Sequence, residues 1–119
     1  MSKKVIYVAG KYNDERGEWY IECNVREAER AAQFIWINGG VAICPHLNTH
    51  RWGDLIPWER FIEGDLEILA RCDAIYMVSN WISSKGAKIE KEHAEKLGLP
   101  ILYDHADLLD YLGVIGINK

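Results

Sequence analysis

The chain has 119 residues, 49% of them hydrophobic, and a formal net charge of −4 at pH 7. This length suffices for one domain with a modest core, which we expect to span residues 1–119. The negative net charge argues against a protein that binds nucleic acid polymers. No apolar run approaches the roughly 18 residues of a membrane span, and the first ten residues lack a signal-peptide pattern. We therefore expect a cytoplasmic protein that does not bind membranes.

The first half of the chain alternates buried strands with an amphipathic helix. Residues 4–10 are a continuous apolar, β-branched run that ends at glycine, which is typical of a parallel strand buried on both faces. Residues 11–18 are polar and predict a loop. Apolar side chains recur every three or four residues over 19–38, which predicts a helix that ends at two glycines. A second short strand is expected over 41–44.

The second half continues the alternation after an irregular stretch. Residues 46–56 show no periodicity, and long loops in compact domains are usually functional or mobile. The pattern then predicts a helix, a strand, a helix, a strand and a short helix, at residues 58–72, 74–78, 86–97, 100–103 and 106–112. The tail over 113–119 has an apolar pattern that suits an edge strand or a contact with another subunit.

The order of these elements predicts the fold class. Strands that alternate with helices form a parallel sheet with helices on both faces. We therefore predict an α/β fold, a flavodoxin-like or Rossmann-like parallel sheet of four to five strands flanked by helices. Ligands of such folds bind at the carboxyl ends of the strands, so the loops that follow the strands are the candidate binding segments.

Two of these loops carry residues suited to ligand binding. Gly10, Lys11 and Tyr12 follow the first strand and either contact a ligand or merely end the strand. Ser84 and Gly86 open the helix over 86–97, where hydroxyls and free backbone N–H groups suit a phosphate or a ribose. Simple N-capping by a serine is the alternative. Neither a dinucleotide-binding fingerprint nor a phosphate-binding P-loop motif is present.

Two carboxylates are candidates for catalysis. Asp65 and Glu90 lie on different predicted helices, each near the carboxyl edge of the sheet. A pair of carboxylates at one cleft can divide the roles of nucleophile and acid or base. The alternative is that both are solvated helix residues.

The remaining polar and aromatic candidates lie near loops. His46 and Asn48 are expected to be polar lining of a pocket or simple loop residues, and Trp81, like Trp52 and Trp58, can stack on a ring-shaped ligand or cover an interface. The sequence contains only halves of metal-binding patterns, so we expect neither a metal nor a cofactor. Three widely spaced cysteines predict free thiols.

Four segments together resemble the nucleoside 2-deoxyribosyltransferase-like family. They are VIYVAGKY, the PH dipeptide after the second strand, DLEILARCDAIYMVSNW and SSKGAKIEKEHAEKLGLPIL, which lie within residues 4–103. The likeness is strongest to its short bacterial and phage members of unassigned function. The family's relatives include nucleoside 5′-monophosphate N-glycosidases.

The resemblance implies roles for particular residues. Glu90 matches the family's nucleophilic glutamate, and Asp65 matches an aspartate held near the sugar and base. Ser84 stands where phosphate-using members have a serine and the nucleoside transferases have an aspartate. Lys11 and Tyr12, with the preceding glycine, match a loop that contacts the sugar or the phosphate.

The resemblance also implies an activity. It predicts an enzyme that cleaves the base–sugar bond of a nucleoside or its 5′-monophosphate, acting as a homodimer or larger assembly without a cofactor. The alternatives are a nucleoside 2-deoxyribosyltransferase, which exchanges bases, and a non-catalytic module that binds or senses nucleotides.

Overall fold

The structure is a computed structural model that describes residues 3–114. Its strands are β1 (Val5–Ala9), β2 (Val41–Ile43), β3 (Ala74–Met77) and β4 (Ile101–Leu102). Its helices are α1 (Glu18–Ile37), α2 (Pro45–Asn48), α3 (Trp58–Leu69), α4 (Lys85–Leu97) and α5 (His105–Leu112), with a 3₁₀ turn at Trp81–Ser83 between β3 and α4. The edge strand predicted over 113–119 falls largely outside the described residues.

The four strands form one parallel sheet in the order β2-β1-β3-β4. The predicted α/β, flavodoxin-like fold is therefore confirmed. The chain leaves β1 toward β2 and leaves β3 in the opposite direction, toward β4. The order of strands thus reverses between β1 and β3, and a crevice opens beyond the carboxyl ends of these two strands.

Helices cover the sheet on both faces, because successive side chains of a buried strand point to opposite sides. Ile6 and Val8 pack against α1 and α5 in one cluster of buried side chains. Tyr7 and Ala9 belong to a second cluster with α3 and α4. The continuous apolar run of β1 is explained by this double burial.

Several predicted boundaries were wrong in detail. The stretch over 46–56 is not wholly irregular, since Pro45 occupies the first position of the short helix α2. Helix α3 ends at Leu69 rather than at residue 72. Strand β4 is only two residues long, and the N–H of Tyr103, which follows it, donates to the carboxylate of Asp107 in the first turn of α5.

Gly10 directly follows β1 and lies against Val78, which directly follows β3. A Cβ atom at this position would lie 2.9 Å from Val78 Cβ and 3.1 Å from Asn80 Oδ1. We expect Gly10→Ala to lower the free energy of unfolding by about 1–3 kcal/mol, because buried strand ends cannot move apart freely. Urea denaturation followed by tryptophan fluorescence measures this change.

The matched control is Gly64→Ala. Gly64 lies inside α3, where an added Cβ meets only Arg60 Nη1 at 3.6 Å. Alanine there is expected to stabilise the protein by up to about 1 kcal/mol through helix propensity. Equal shifts in the two variants would contradict the close approach at Gly10.

Candidate active site

A cavity of about 1100 Å³ lies at the carboxyl edge of the sheet. Its walls come from the loop after β1, the start of α1, the segment between α2 and α3, the first turns of α3 and the N-terminal half of α4. Of the residues singled out in the sequence, this cavity brings together nine, which are Gly10, Lys11, Tyr12, His46, Trp58, Asp65, Ser84, Gly86 and Glu90.

Glu90 is a buried carboxylate in the second turn of α4. Its side chain shares the inward face of the helix with Ala87 and Ala94, since residues three and four apart lie on one side. Glu90 is 6% exposed. The hydroxyl of Tyr7, in the middle of β1, donates a 2.6 Å hydrogen bond to Glu90 Oε2. The helix therefore presents this carboxylate to the cavity in a fixed orientation.

The environment of Glu90 raises its pKa to about 8. Burial is the main cause, because the charged carboxylate loses its hydration. The hydrogen bond from Tyr7 lowers this pKa, and the nearby charge of Asp65 raises it. The pKa of Tyr7 is itself raised by burial and by the charge of Glu90. Tyr7 therefore keeps its proton and stays a donor to the carboxylate.

Asp65 is the second carboxyl group of the cavity. It lies in the last half of α3 and is partly buried. Burial raises its pKa to about 6. Two carboxyl groups with different environments in one cavity are the arrangement from which acid and nucleophile roles arise.

The loop after β1 is held in place by hydrogen bonds from other segments. Lys11 N–H donates to Asn80 Oδ1 at 2.9 Å, and Asn24 Nδ2 donates to the carbonyl of Tyr12 at 3.0 Å. His46 Nε2 lies 2.9 Å from the carbonyl oxygen of Lys11 and must be the donor, since a carbonyl only accepts. Burial lowers the pKa of His46, so this ring stays neutral near neutral pH.

The N-terminus of α4 opens into the same cavity. Ser84 is its N-cap, and Ser84 Oγ accepts a hydrogen bond from Ala87 N–H at 3.0 Å. Lys85 and Gly86 follow and also line the cavity. Ser84 therefore caps the helix, and the first turn of α4 still faces the cavity.

Three residues singled out in the sequence, among them the half-exposed Trp52, do not line the cavity. Asn48 is exposed at the end of α2. Trp81 packs against the cluster formed with α3 and α4, with its ring 6.1 Å from that of Tyr103 and Lys91 Nζ 5.6 Å from its centre. Its indole is held on the side of β4, and Trp58 is the tryptophan that faces the cavity.

Tyr7 is a site residue that the sequence analysis missed. A tyrosine inside a buried strand resembles any other core aromatic. The available signal was its hydroxyl, which needs a hydrogen-bond partner when it is buried. The partner, Glu90, lies 83 residues away in the chain.

Within residues 3–114, no group of three or more histidine, cysteine, aspartate or glutamate side chains is arranged to hold a metal ion. No helix in the described part of the chain has both the length and the apolar character needed to cross a bilayer. The three cysteines are free thiols.

The fold and the cavity define an α/β protein with a ligand site at the carboxyl edge of a parallel sheet. Residues 4–103 match the family described as a domain of unknown function, DUF4406, and the chain belongs to this family. No curated protein matches the sequence significantly.

A solved structure with a similar fold is that of a 2-deoxyribosyltransferase from the psychrotolerant bacterium Bacillus psychrosaccharolyticus. The TM-score is 0.63 at 18% sequence identity, and the match covers 83% of this chain and 70% of that chain. The resemblance to the nucleoside 2-deoxyribosyltransferase-like family, predicted from the sequence, is confirmed at the level of the fold.

Proposed function

We propose that this protein cleaves the N-glycosidic bond of a nucleoside or nucleoside 5′-monophosphate, with Glu90 as the nucleophile. The observation that carries the proposal is the buried Glu90 carboxylate, held by Tyr7 in the same cavity as Asp65. A charged group costs free energy to bury, and such groups cluster at functional sites. The similar fold of a 2-deoxyribosyltransferase supports the same class of substrate.

The proposed reaction has two steps. Glu90 Oε attacks C1′ of the sugar, the C1′–N bond breaks, and the base leaves with the bonding electron pair and a proton from Asp65. Water then attacks C1′ of the resulting ester and gives its proton to Asp65. The Glu90 carboxylate is released together with the free sugar or sugar phosphate.

The two carboxyl groups share one proton at neutral pH. The pKa of Glu90 is about 8 and that of Asp65 about 6, and the nearby charge of Asp65 contributes to the raised pKa of Glu90. The singly protonated pair therefore predominates between these values, with the proton mainly on Glu90. Attack requires the proton on Asp65 instead, so the reactive form is the minor one, and the hydrogen bond from Tyr7 increases its share because it stabilises ionised Glu90.

Other walls of the cavity suit the remaining parts of the substrate. The first turn of α4, with Ser84 and Lys85, supports binding of a 5′-phosphate, because free N–H groups and the helix dipole attract anions. Trp58, Phe61 and Ile62 form an apolar side of the cavity that supports binding of a base.

The protein is further proposed to act as a homodimer or higher homo-oligomer in nucleotide metabolism. Trp36 and Ile37, at the end of α1, are 57% and 80% exposed. Adjacent exposed apolar side chains of this size support a contact with a second copy. Light scattering coupled to size-exclusion chromatography measures the assembly.

The test of the proposed activity is release of free base. The purified protein is incubated at neutral pH with ribo- and deoxyribonucleosides and their 5′-monophosphates, and chromatography separates base from substrate. Release without an added base is the expected result and indicates hydrolysis. Release that requires an acceptor base indicates the transferase alternative.

Two other outcomes would contradict the proposal. Tight binding of a nucleotide without turnover, with or without acceptor, would favour a binding or sensing module. Neither binding nor turnover with any member of the panel would remove nucleosides and their monophosphates as the substrate class.

A further inference from the structure

A chain of three hydrogen-bonded side chains lies on the wall of the cavity. Tyr12 Oη lies 3.0 Å from His50 Nδ1, and His50 Nε2 lies 2.8 Å from Glu22 Oε2. All three residues line the cavity. They come from the loop after β1, the segment after α2 and the helix α1, so the chain joins three separate parts of the fold.

The position of each proton in this chain follows from Glu22. Its pKa is lowered, mainly by the hydrogen bond with His50 and also by Arg51, so the carboxylate is ionised and only accepts. His50 Nε2 must therefore carry a hydrogen and donate it. In the neutral ring the other nitrogen, Nδ1, is then an acceptor, and the hydroxyl of Tyr12 donates its only proton to it.

Neighbouring groups hold this arrangement in place. The ring of Tyr12 packs edge-to-face against His46 and His50, at 5.4 and 5.8 Å between centroids. Arg51 Nη2 donates to Glu22 Oε2 at 2.7 Å, and the backbone of Arg51 adopts a left-handed conformation with φ of 71°. A non-glycine residue persists in this conformation only when surrounding contacts hold it.

We propose that Glu22 and His50 make the Tyr12 hydroxyl a hydrogen-bond acceptor that selects substrates with a donor group at this place. The proton of the hydroxyl is committed to His50, so its oxygen offers only lone pairs to a ligand. The donor is either an exocyclic amino group of the base or the 2′-hydroxyl of ribose. A phosphate oxygen without a proton, which only accepts, makes no hydrogen bond with this hydroxyl. Glu22 and His50 are positioning residues for Tyr12.

This inference rests on the proposed function. It narrows the proposed nucleosides and nucleotides to those that place a hydrogen-bond donor against the Tyr12 hydroxyl. The inference depends on the tautomer of His50, which can be measured without any ligand. Nitrogen-15 spectra of the histidine side chains distinguish the two neutral tautomers. We expect His50 to be the Nε2-protonated form in the wild-type protein and to become a mixture of tautomers in Glu22→Ala. The Nδ1-protonated form, or a ring protonated at both nitrogens, would overturn the proposal, because either leaves the proton of the Tyr12 hydroxyl free to be donated to a ligand.

The selectivity is tested by calorimetric binding of matched ligands at neutral pH. AMP and purine riboside 5′-monophosphate differ by an amino group against a hydrogen atom, and each ribonucleotide is compared with its deoxyribonucleotide. Within one kind of pair we expect the ligand with the donor to bind about tenfold more tightly, as for one net hydrogen bond. A difference between the ligands with and without the amino group assigns the donor to the base, and a ribo–deoxyribo difference assigns it to the sugar.

Three variants separate the role of the hydroxyl from simple packing. Tyr12→Phe should bind both members of the pair equally. Glu22→Ala should weaken the preference, because Tyr12 can then donate as well as accept. Glu27→Ala, an exposed carboxylate on α1, is the inert control.

The outcomes that contradict this inference differ from those that contradict the proposed function. Binding without any preference, or a preference that survives in Tyr12→Phe, would overturn the role of Tyr12 alone. Failure of every nucleotide to bind would overturn the proposed function, and the selectivity with it.

Discussion

Replacement of Glu90 by glutamine is expected to lower the rate of base release by about a thousandfold or more, as for loss of a nucleophile. Glutamine keeps the size of the side chain and an oxygen that accepts the Tyr7 hydroxyl proton. It lacks the anionic oxygen that attacks C1′. The affinity for nucleotide should change little. The measurement is the initial rate of base release under saturating substrate, together with calorimetric binding.

Glu92→Gln is the matched control for this experiment. Glu92 lies on the same helix but is exposed, so the same chemical change there should leave the rate within about twofold, since exposed substitutions away from the site have small effects. A Glu90→Gln enzyme with near wild-type turnover would contradict the role of Glu90 as nucleophile. Loss of turnover with an equal loss of binding would indicate a binding role instead.

The second large expected effect is a fall in stability as the pH rises from about 5 to about 8. The pKa of Glu90 is about 8 in the folded protein, against a reference value of 4.5. The folded state therefore binds more protons than the unfolded state between these values, and linkage makes the free energy of unfolding decrease with pH there. Asp65, with its pKa raised to about 6, acts in the same direction.

The size of this effect follows from the shift in pKa. One unit corresponds to about 1.4 kcal/mol, so Glu90 alone is expected to cost on the order of a few kcal/mol above pH 8. Urea denaturation from about pH 5 to about pH 9, followed by tryptophan fluorescence, gives the dependence. Glu90→Gln should match the wild type at the acidic end and exceed its stability at the alkaline end.

Parallel curves for the wild type and Glu90→Gln would contradict this expectation, because they would mean that Glu90 titrates alike in the folded and unfolded states. Glu92→Gln should follow the wild type at every pH. The combined result for Glu90→Gln, an inactive protein that is more stable at alkaline pH, is the expected behaviour of a group kept for function at a cost in stability.

Much of the architecture was predictable from local pattern. Continuous apolar runs indicate strands buried on both faces, and a hydrophobic period of 3.6 indicates amphipathic helices, so the sequence indicated the parallel sheet and its helices. The order of elements then placed Glu90 and Asp65 at the same edge, and the structure brings both to one cavity. The spacing of Ala87, Glu90 and Ala94 also puts Glu90 on the inward face of α4.

Side-chain partners were decided only by the tertiary structure. The hydrogen bond between Tyr7 and Glu90 joins residues 83 apart, and the chain from Tyr12 through His50 to Glu22 spans separations of 38 and 28 residues. Local periodicity carries no information on such pairs. The direction of Trp81, which lies on the predicted loop but packs toward β4, was undetermined for the same reason. The sequence by itself determined the layers and the edge where the site lies, and packing between distant segments decided which groups meet there.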